Sequence, residues 1–105
     1  MKKPFYNKTK YEDLLTHKTS YFFLKNFKAK VTVVQVLLNE DYSLATIYWD
    51  TLFDKQAVEE DLNFHKKSLR SFIAKTLKVK AMPELRFIYS SSFEAQKNIE
   101  ELLNQ

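Results

Sequence analysis

The sequence predicts an α+β fold in which helices pack on one face of a mixed three-stranded sheet. Three observations predict it: a β-hairpin pattern in the first half of the chain, helical patterns before and after that hairpin, and a third strand pattern that follows the second helical stretch. Because a strand reached through a helical crossover pairs in parallel, the sheet combines antiparallel and parallel pairs. The predicted order is α-β-β-α-(kink)-α-β plus a C-terminal helix.

The first predicted element is a helix over residues 8–26. Apolar residues recur there at spacings near three and four, which is typical of a helix that buries one face. Thr9 is the candidate N-cap, ahead of Glu12 and Asp13 in the first turn. The predicted stripe consists of Tyr11, Leu14, Leu15, Lys18, Phe22 and Phe23.

Residues 31–38 and 44–50 form the predicted hairpin, joined by turn-forming residues 39–43. The first run, VTVVQVLL, is rich in β-branched residues and almost continuously apolar, as expected of a mostly buried strand. The second run, LATIYWD, alternates between the two faces of the sheet, with its Ala, Ile and Trp on the inner one.

Residues 55–78 form the second helical stretch, with one apolar stripe and basic residues on the opposite side. A straight helix of this length would run about 36 Å, which is long for so small a domain. We therefore expect a break between Phe64 and Ser68, with Ser68 capping the second helix. His65 should stay inside and hydrogen-bond a backbone group, while the two lysines after it project outward. The stripe consists of Val58, Leu62, His65, Leu69, Phe72, Ile73 and Leu77.

The last predicted elements are a strand over residues 84–89 and a helix that begins near Ser91. Pro83 ends the preceding helical stretch, and apolar residues then alternate along the strand. Ser91 and Glu94 have the spacing of a capping box. The apolar residues of this last helix are Ile99, Leu102 and Leu103.

Charge is segregated along the chain. Residues 1–30 carry eight lysines against two acids, residues 31–64 carry one lysine against seven acids, and residues 65–83 carry six basic residues and no acid. Such segregation favours a face that binds a polyanion. On charge alone, a solvated lysine-rich surface explains the pattern equally well.

Missing residue types exclude several classes of protein. The chain has no Gly, which excludes the Gly-rich loops of P-loop and dinucleotide-binding proteins. It has no Cys, which excludes disulfides and cysteine-ligated zinc and fits a reducing compartment. No stretch approaches the roughly 20 apolar residues of a membrane span. We expect a cytoplasmic protein with no cofactor and no membrane contact.

Structural roles account for the residues that might suggest catalysis or metal binding. His17 and His65 lack partners at metal-ligand spacing, and an imidazole on an apolar stripe is more often structural. Acids near the start of the second helical stretch are explained by the helix dipole, although such a cluster could hold Mg²⁺ in a nuclease. These acids are Asp54, Glu59, Glu60 and Asp61. We expect no catalytic residue and no metal site.

Three segments carry a family resemblance. Residues 33–48 combine a strand, an Asp-containing turn and a second strand; residues 69–80 form a helix with an early Arg and bases at its end; residues 83–87 read PELRF. These segments resemble the ribosome-binding factor A family, bacterial proteins with a type II KH-like fold. Residues 65–67, His-Lys-Lys, stand where that family has an Ala-x-Gly element.

The resemblance implies that residues 1–105 form a single KH-like RNA-binding domain without enzymatic activity. It implies binding to small-subunit ribosomal RNA and to the free small subunit, as a monomer, during late maturation of that subunit. KH domains hold single strands with backbone amides and basic side chains, so a chain without Gly should depend more on Lys and Arg. The candidate RNA-binding residues are Lys28, Lys30, Lys66, Lys67, Arg70, Lys75, Lys78 and Lys80.

Two questions stay open at this point. The basic faces could instead bind an acidic protein partner, and co-sedimentation with ribosomal subunits, with and without ribonuclease, distinguishes the two functions. Tyr42 and Tyr48 could stack on bases, although ordinary packing explains both.

Overall fold

The computed structural model describes residues 7–27, 30–78 and 82–91. Its three helices and mixed three-stranded sheet confirm the predicted α+β class. The predicted helix after Ser91 lies outside the described residues. The elements are α1 (Lys8–Phe27), β1 (Thr32–Leu38), β2 (Leu44–Asp50), α2 (Lys55–Phe64), α3 (Lys66–Leu77) and β3 (Glu84–Tyr89).

The sheet has the strand order β1-β2-β3. β1 and β2 pair antiparallel, with Val36 opposite Ile47, and a bulge shifts their register between Val33 and Gln35. β2 and β3 pair in parallel, with Ile47 opposite Phe87. The parallel pair follows from the helical crossover through α2 and α3, as the sequence predicted.

β1 differs from its prediction as a mostly buried strand. Val36 and Leu38 are buried, whereas Val34 is 39% exposed and Leu37 is 41% exposed. β1 is an edge strand with one face turned away from the core; its side chains alternate between the faces after the bulge, at which Val34 and Gln35 are both exposed. Its β-branched residues indicated a strand correctly, but they do not report on how many faces are covered.

α1 supplies the largest share of the core and is capped earlier than predicted. The N–H of Lys10 donates to Oδ1 of Asn7 at 2.8 Å, so Asn7 is the N-cap and Thr9 lies inside the helix. The partly buried carboxylate of Glu12 accepts a hydrogen bond from the N–H of Leu38 at 2.7 Å, which ties α1 to the end of β1. The buried residues of α1 are Tyr11, Leu15, Thr19, Phe22, Phe23 and Phe27.

The β1–β2 turn is built from side-chain hydrogen bonds in place of glycine. Tyr42 takes a positive φ of 62°, which costs a non-glycine residue energy. Its ring packs edge-on against Tyr11 at 5.8 Å, which helps to hold this conformation. The hydroxyl and N–H of Ser43 both donate to Asp41, at 2.6 and 3.1 Å, and these bonds lower the pKa of that carboxyl from its usual value.

Candidate nucleic-acid interface

The predicted break in the second helical stretch is confirmed and falls at His65. α2 ends at Phe64 and α3 begins at Lys66, with His65 between them at φ −92° and ψ 5°. That backbone conformation requires no glycine. The N–H of Leu69 donates to the carbonyl of His65 at 2.9 Å and begins the ladder of α3. The N–H groups of the first turn of α3 therefore have no acceptor within their own helix.

The side chains at the break differ in part from the prediction. Ser68 is the third residue of α3, and the helix has no side-chain cap, so the predicted Ser68 cap is wrong. His65 is half-buried, and its Nδ1 lies 2.9 Å from the carbonyl oxygen of Asp61, as predicted for a bond to a backbone group. A carbonyl only accepts, so Nδ1 carries the proton. The His65 ring also packs edge-on against Phe27, at 5.0 Å between centroids.

The two lysines after the break point in different directions. Lys67 is exposed, as predicted. Lys66 is half-buried, and its Nζ lies 5.9 Å from the centroid of the Phe87 ring on β3. The ammonium of Lys66 is thus close enough to interact with the Phe87 ring. A helical projection of α3 alone cannot predict this contact, because Phe87 lies on β3.

Arg70 has a structural role that the sequence did not reveal. Its Nη2 donates to the carbonyl of Met82 at 3.1 Å, and its Nε approaches the carbonyl of Pro83 at 3.4 Å. Nη2 also lies 3.5 Å from the carboxylate of Glu84. Arg70 therefore fastens the α3–β3 connection, and part of its charge is already offset within the fold.

An open groove of about 460 Å³ lies along α3. Its lining combines two cationic side chains, two hydroxyls and one aromatic ring. The hydroxyls of Ser68 and Ser71 have no hydrogen-bond partner among residues 7–27, 30–78 and 82–91, whereas that of Thr76 donates to the carbonyl of Phe72. The lining residues are Lys67, Ser68, Ser71, Phe72 and Lys75.

α1 contributes an aromatic residue beside this groove. The Tyr21 ring stacks on Phe72, with centroids 5.9 Å apart and an interplanar angle of 16°. The contacts of Phe27 with His65 and of Tyr21 with Phe72 show that α1 and α3 run antiparallel. Lys25, one turn after Tyr21, holds its Nζ 5.3 Å from the Tyr21 centroid.

Tyr21 was not predicted as a site residue, although a signal was present. On a helical projection it falls about 40° from Lys25 and about 60° from Lys18, away from the centre of the apolar stripe. The predicted stacking candidates lie elsewhere. Tyr42 packs on Tyr11, and Tyr48 is half-buried on the outer face of the sheet, away from the helices.

The remaining predicted site residues are dispersed. Lys75 and Lys78 are exposed at the C-terminal part of α3, and Lys78 ends the helix in a left-handed conformation with φ 53° and ψ 40°. Lys30 lies close to the loop after β2, with its Nζ 5.8 Å from the Phe53 centroid. Lys28 and Lys80 lie outside the described residues.

The acids of α2 have structural partners or face solvent. The side chain of Asp54 accepts a hydrogen bond from the N–H of Gln56 and caps α2. Among the described residues, no three His, Asp or Glu side chains are placed to hold a metal ion. None of the described helices has the length and apolar character of a membrane span.

Comparison with known proteins identifies one family. The sequence model described as ribosome-binding factor A matches residues 7–103. The ribosome-binding factor A of Neisseria meningitidis serogroup A is 36% identical over 77 residues, which are 71% of this chain and 63% of that protein. That of Chromobacterium violaceum is 31% identical over 71% of this chain and 56% of that protein. The chain thus spans less than two thirds of the length of these curated relatives.

Solved structures match the fold. The crystal structure of ribosome-binding factor A from Thermus thermophilus has a TM-score of 0.73 at 20% identity, covering 80% of this chain and 97% of that one. A Thermus thermophilus ribosome-binding factor A homology model, fitted into the cryo-electron microscopy map of a 30S complex, has a TM-score of 0.66 at 18% identity, covering 73% and 88%. At these identities the matches establish shared architecture.

Proposed function

The chain belongs to the ribosome-binding factor A family, and from this premise we propose that it binds small-subunit ribosomal RNA during late maturation of the small subunit. It acts without catalysis, in the bacterial cytoplasm, as a monomer, and residues 1–105 serve as one RNA-binding domain. The relative fitted into a 30S complex supports the small subunit as the partner.

The observation that carries the proposal is a surface of α1 and α3 from which acids are absent. Residues 14–27 and 66–78 contain no Asp or Glu, and they meet along the Tyr21–Phe72 contact. A phosphate backbone is attracted to such a surface without local repulsion, which supports RNA over a neutral partner.

The groove supplies each kind of group that phosphate contacts use. Lys67 and Lys75 provide ammonium groups, and the hydroxyls of Ser68 and Ser71 are free to donate to phosphate oxygens. The first turn of α3 adds N–H groups at the positive end of its dipole. The carboxylates of an acidic protein would accept hydrogen bonds from the same lysines and hydroxyls, so the choice between RNA and protein is left to the ribonuclease experiment below.

Salt dependence tests how far phosphate contacts account for the affinity. If roughly five cations contact phosphates, the log–log slope of affinity against salt for single-stranded RNA should be about −3.5. Raising salt from about 50 to 200 mM should then weaken binding on the order of 100-fold. A flat response would contradict recognition through this surface.

Co-sedimentation decides between RNA and an acidic protein as the partner. The protein should travel with free small subunits or their precursors, and ribonuclease treatment should release it. Lys67→Gln with Lys75→Gln should reduce the bound fraction, while Lys55→Gln on α2, whose Nζ lies over the Tyr89 ring at 4.6 Å, serves as the control. Recovery mainly with polysomes, or binding that survives ribonuclease, would overturn the proposal.

A further inference from the structure

Tyr21 is a large aromatic side chain that the fold leaves half outside the core. It is 49% exposed, in contrast to the neighbouring Phe22 and Phe23, which are buried. Its ring is nonetheless held in place, because it lies nearly parallel to Phe72 on α3. Stacking on Phe72 gives the Tyr21 ring a fixed orientation at the surface. A flat ligand that binds to this ring would therefore cost the Tyr21 side chain little conformational freedom.

The positively charged side chains around Tyr21 favour a nucleotide over an apolar protein surface as the partner of its ring. Lys25 lies over the Tyr21 ring, and the groove beyond Phe72 is lined by Lys67 and Lys75. An apolar protein surface would have to desolvate these ammonium groups without pairing them. A nucleotide offers a flat ring to Tyr21 and a phosphate to the lysines at the same time.

Lys25 is placed to exchange one partner for another. Its side chain is exposed, and an ammonium held over a ring at an exposed site is bound only weakly. A base that stacks on Tyr21 displaces the ammonium, which is then free to pair with the phosphate of the same strand. The exchange keeps the lysine partnered in both states.

The other exposed aromatic side chains in the part of the chain that the structure describes lack this combination. Phe64 is 83% exposed at the end of α2, where its ring meets His65 edge-on and not in a stack. Phe53 is 60% exposed in the loop after β2, with Lys30 near its ring. Among the described residues neither of these rings is stacked on a residue that lines the groove, whereas Tyr21 is stacked on Phe72.

We propose that Tyr21, supported by Phe72, is a stacking platform for one unpaired base of the bound RNA, with Lys25 and the α3 groove holding the adjacent phosphates. This inference rests on the proposed function and deepens it, since it assigns the base contact that lysines and hydroxyls cannot provide. It also implies tolerance of base identity, because every base presents a π-face.

An abasic oligonucleotide separates base stacking from phosphate binding. The full chain is titrated with a short single-stranded RNA and with the same strand carrying abasic sites. We expect about tenfold tighter binding of the strand with bases, which is the order of one stacked base. Tyr21→Leu should remove this difference and leave affinity for the abasic strand unchanged, whereas Tyr21→Phe should preserve it.

The control variant is Phe53→Leu, which removes a ring of similar exposure that also has a lysine nearby. It should leave both affinities unchanged, and circular dichroism should confirm that each variant is folded. Equal binding of both strands by the unaltered protein, or full discrimination by Tyr21→Leu, would overturn the stacking platform while leaving the proposed function intact. Failure to bind either strand would instead overturn the proposed function.

Discussion

At its N-terminal end α3 starts from His65 in an ordinary backbone conformation, whereas at its C-terminal end it stops at Lys78 in a left-handed one. The N-terminal end places Lys67 and Ser68 on the groove, and the N–H groups of its first turn have no acceptor within α3. Between the two ends, Arg70 fastens the helix to the strand that follows. Basic residues on one short helix thus divide between holding the fold, as Arg70 does, and staying exposed, as Lys67 and Lys75 do.

The largest expected effect on stability is at Arg70. Arg70→Ala removes the charged donor to the Met82 carbonyl and the ion pair with Glu84. We expect the free energy of unfolding to fall by about 2 kcal/mol, and not by more, because the Arg70 side chain is partly exposed. Lys75→Ala, an exposed site on the same helix, should change it by less than about 0.5 kcal/mol.

Urea unfolding of the two variants measures this difference. Arg70→Lys is a third variant for the same measurement, because it keeps the positive charge but lacks the second donor group of the guanidinium. It should be less stable than the unaltered protein but more stable than Arg70→Ala, because the charge opposite Glu84 remains. Equal midpoints for Arg70→Ala and Lys75→Ala would contradict the division of roles along α3.

The groove lysines should show the opposite behaviour. Lys67→Gln combined with Lys75→Gln removes two of the lysines proposed to contact phosphates, which should weaken single-stranded RNA binding about 20-fold near 0.1 M salt and flatten the log–log slope by about 1.4. Stability should hardly change, since both side chains are exposed. Fluorescence anisotropy at several salt concentrations gives both quantities, and an unchanged slope would place the phosphates elsewhere.

The smallest expected effect is a gain at Lys78. Lys78→Gly relieves the cost of a left-handed conformation and should stabilise the protein by about 1 kcal/mol. Lys78→Gln is the matched control, because it removes the same charge but keeps the side-chain penalty. If both variants unfold at the same denaturant concentration, the conformation of Lys78 is not strained.

Much of the fold could be predicted from periodicity, and the reasons for the failures are physical. The helical stripe and the length of residues 55–78 were sufficient to place the break near His65. The alternation of β2 was equally informative. The burial of β1 could not be predicted, because the sequence of one strand does not show which neighbouring strands and helices cover it.

The candidate site was less predictable than the fold. A helical projection placed Lys67 and Lys75 correctly on the exposed side. It could not show that Arg70 turns to the carbonyls of Met82 and Pro83, because that contact joins two segments whose relative position only the folded chain defines. Tyr21 was missed for the same reason, since its partner Phe72 lies on another helix.

A nuclear magnetic resonance titration with single-stranded RNA tests the central claim most directly. Backbone amide signals are followed on the labelled full chain as RNA is added. We expect the largest changes in Lys66, Lys67, Ser68 and Phe72 and around Tyr21, with Leu37 and Arg86 on the outer face of the sheet unaffected. Changes concentrated on that outer face, with the first turn of α3 unmoved, would contradict the α1–α3 surface as the RNA site.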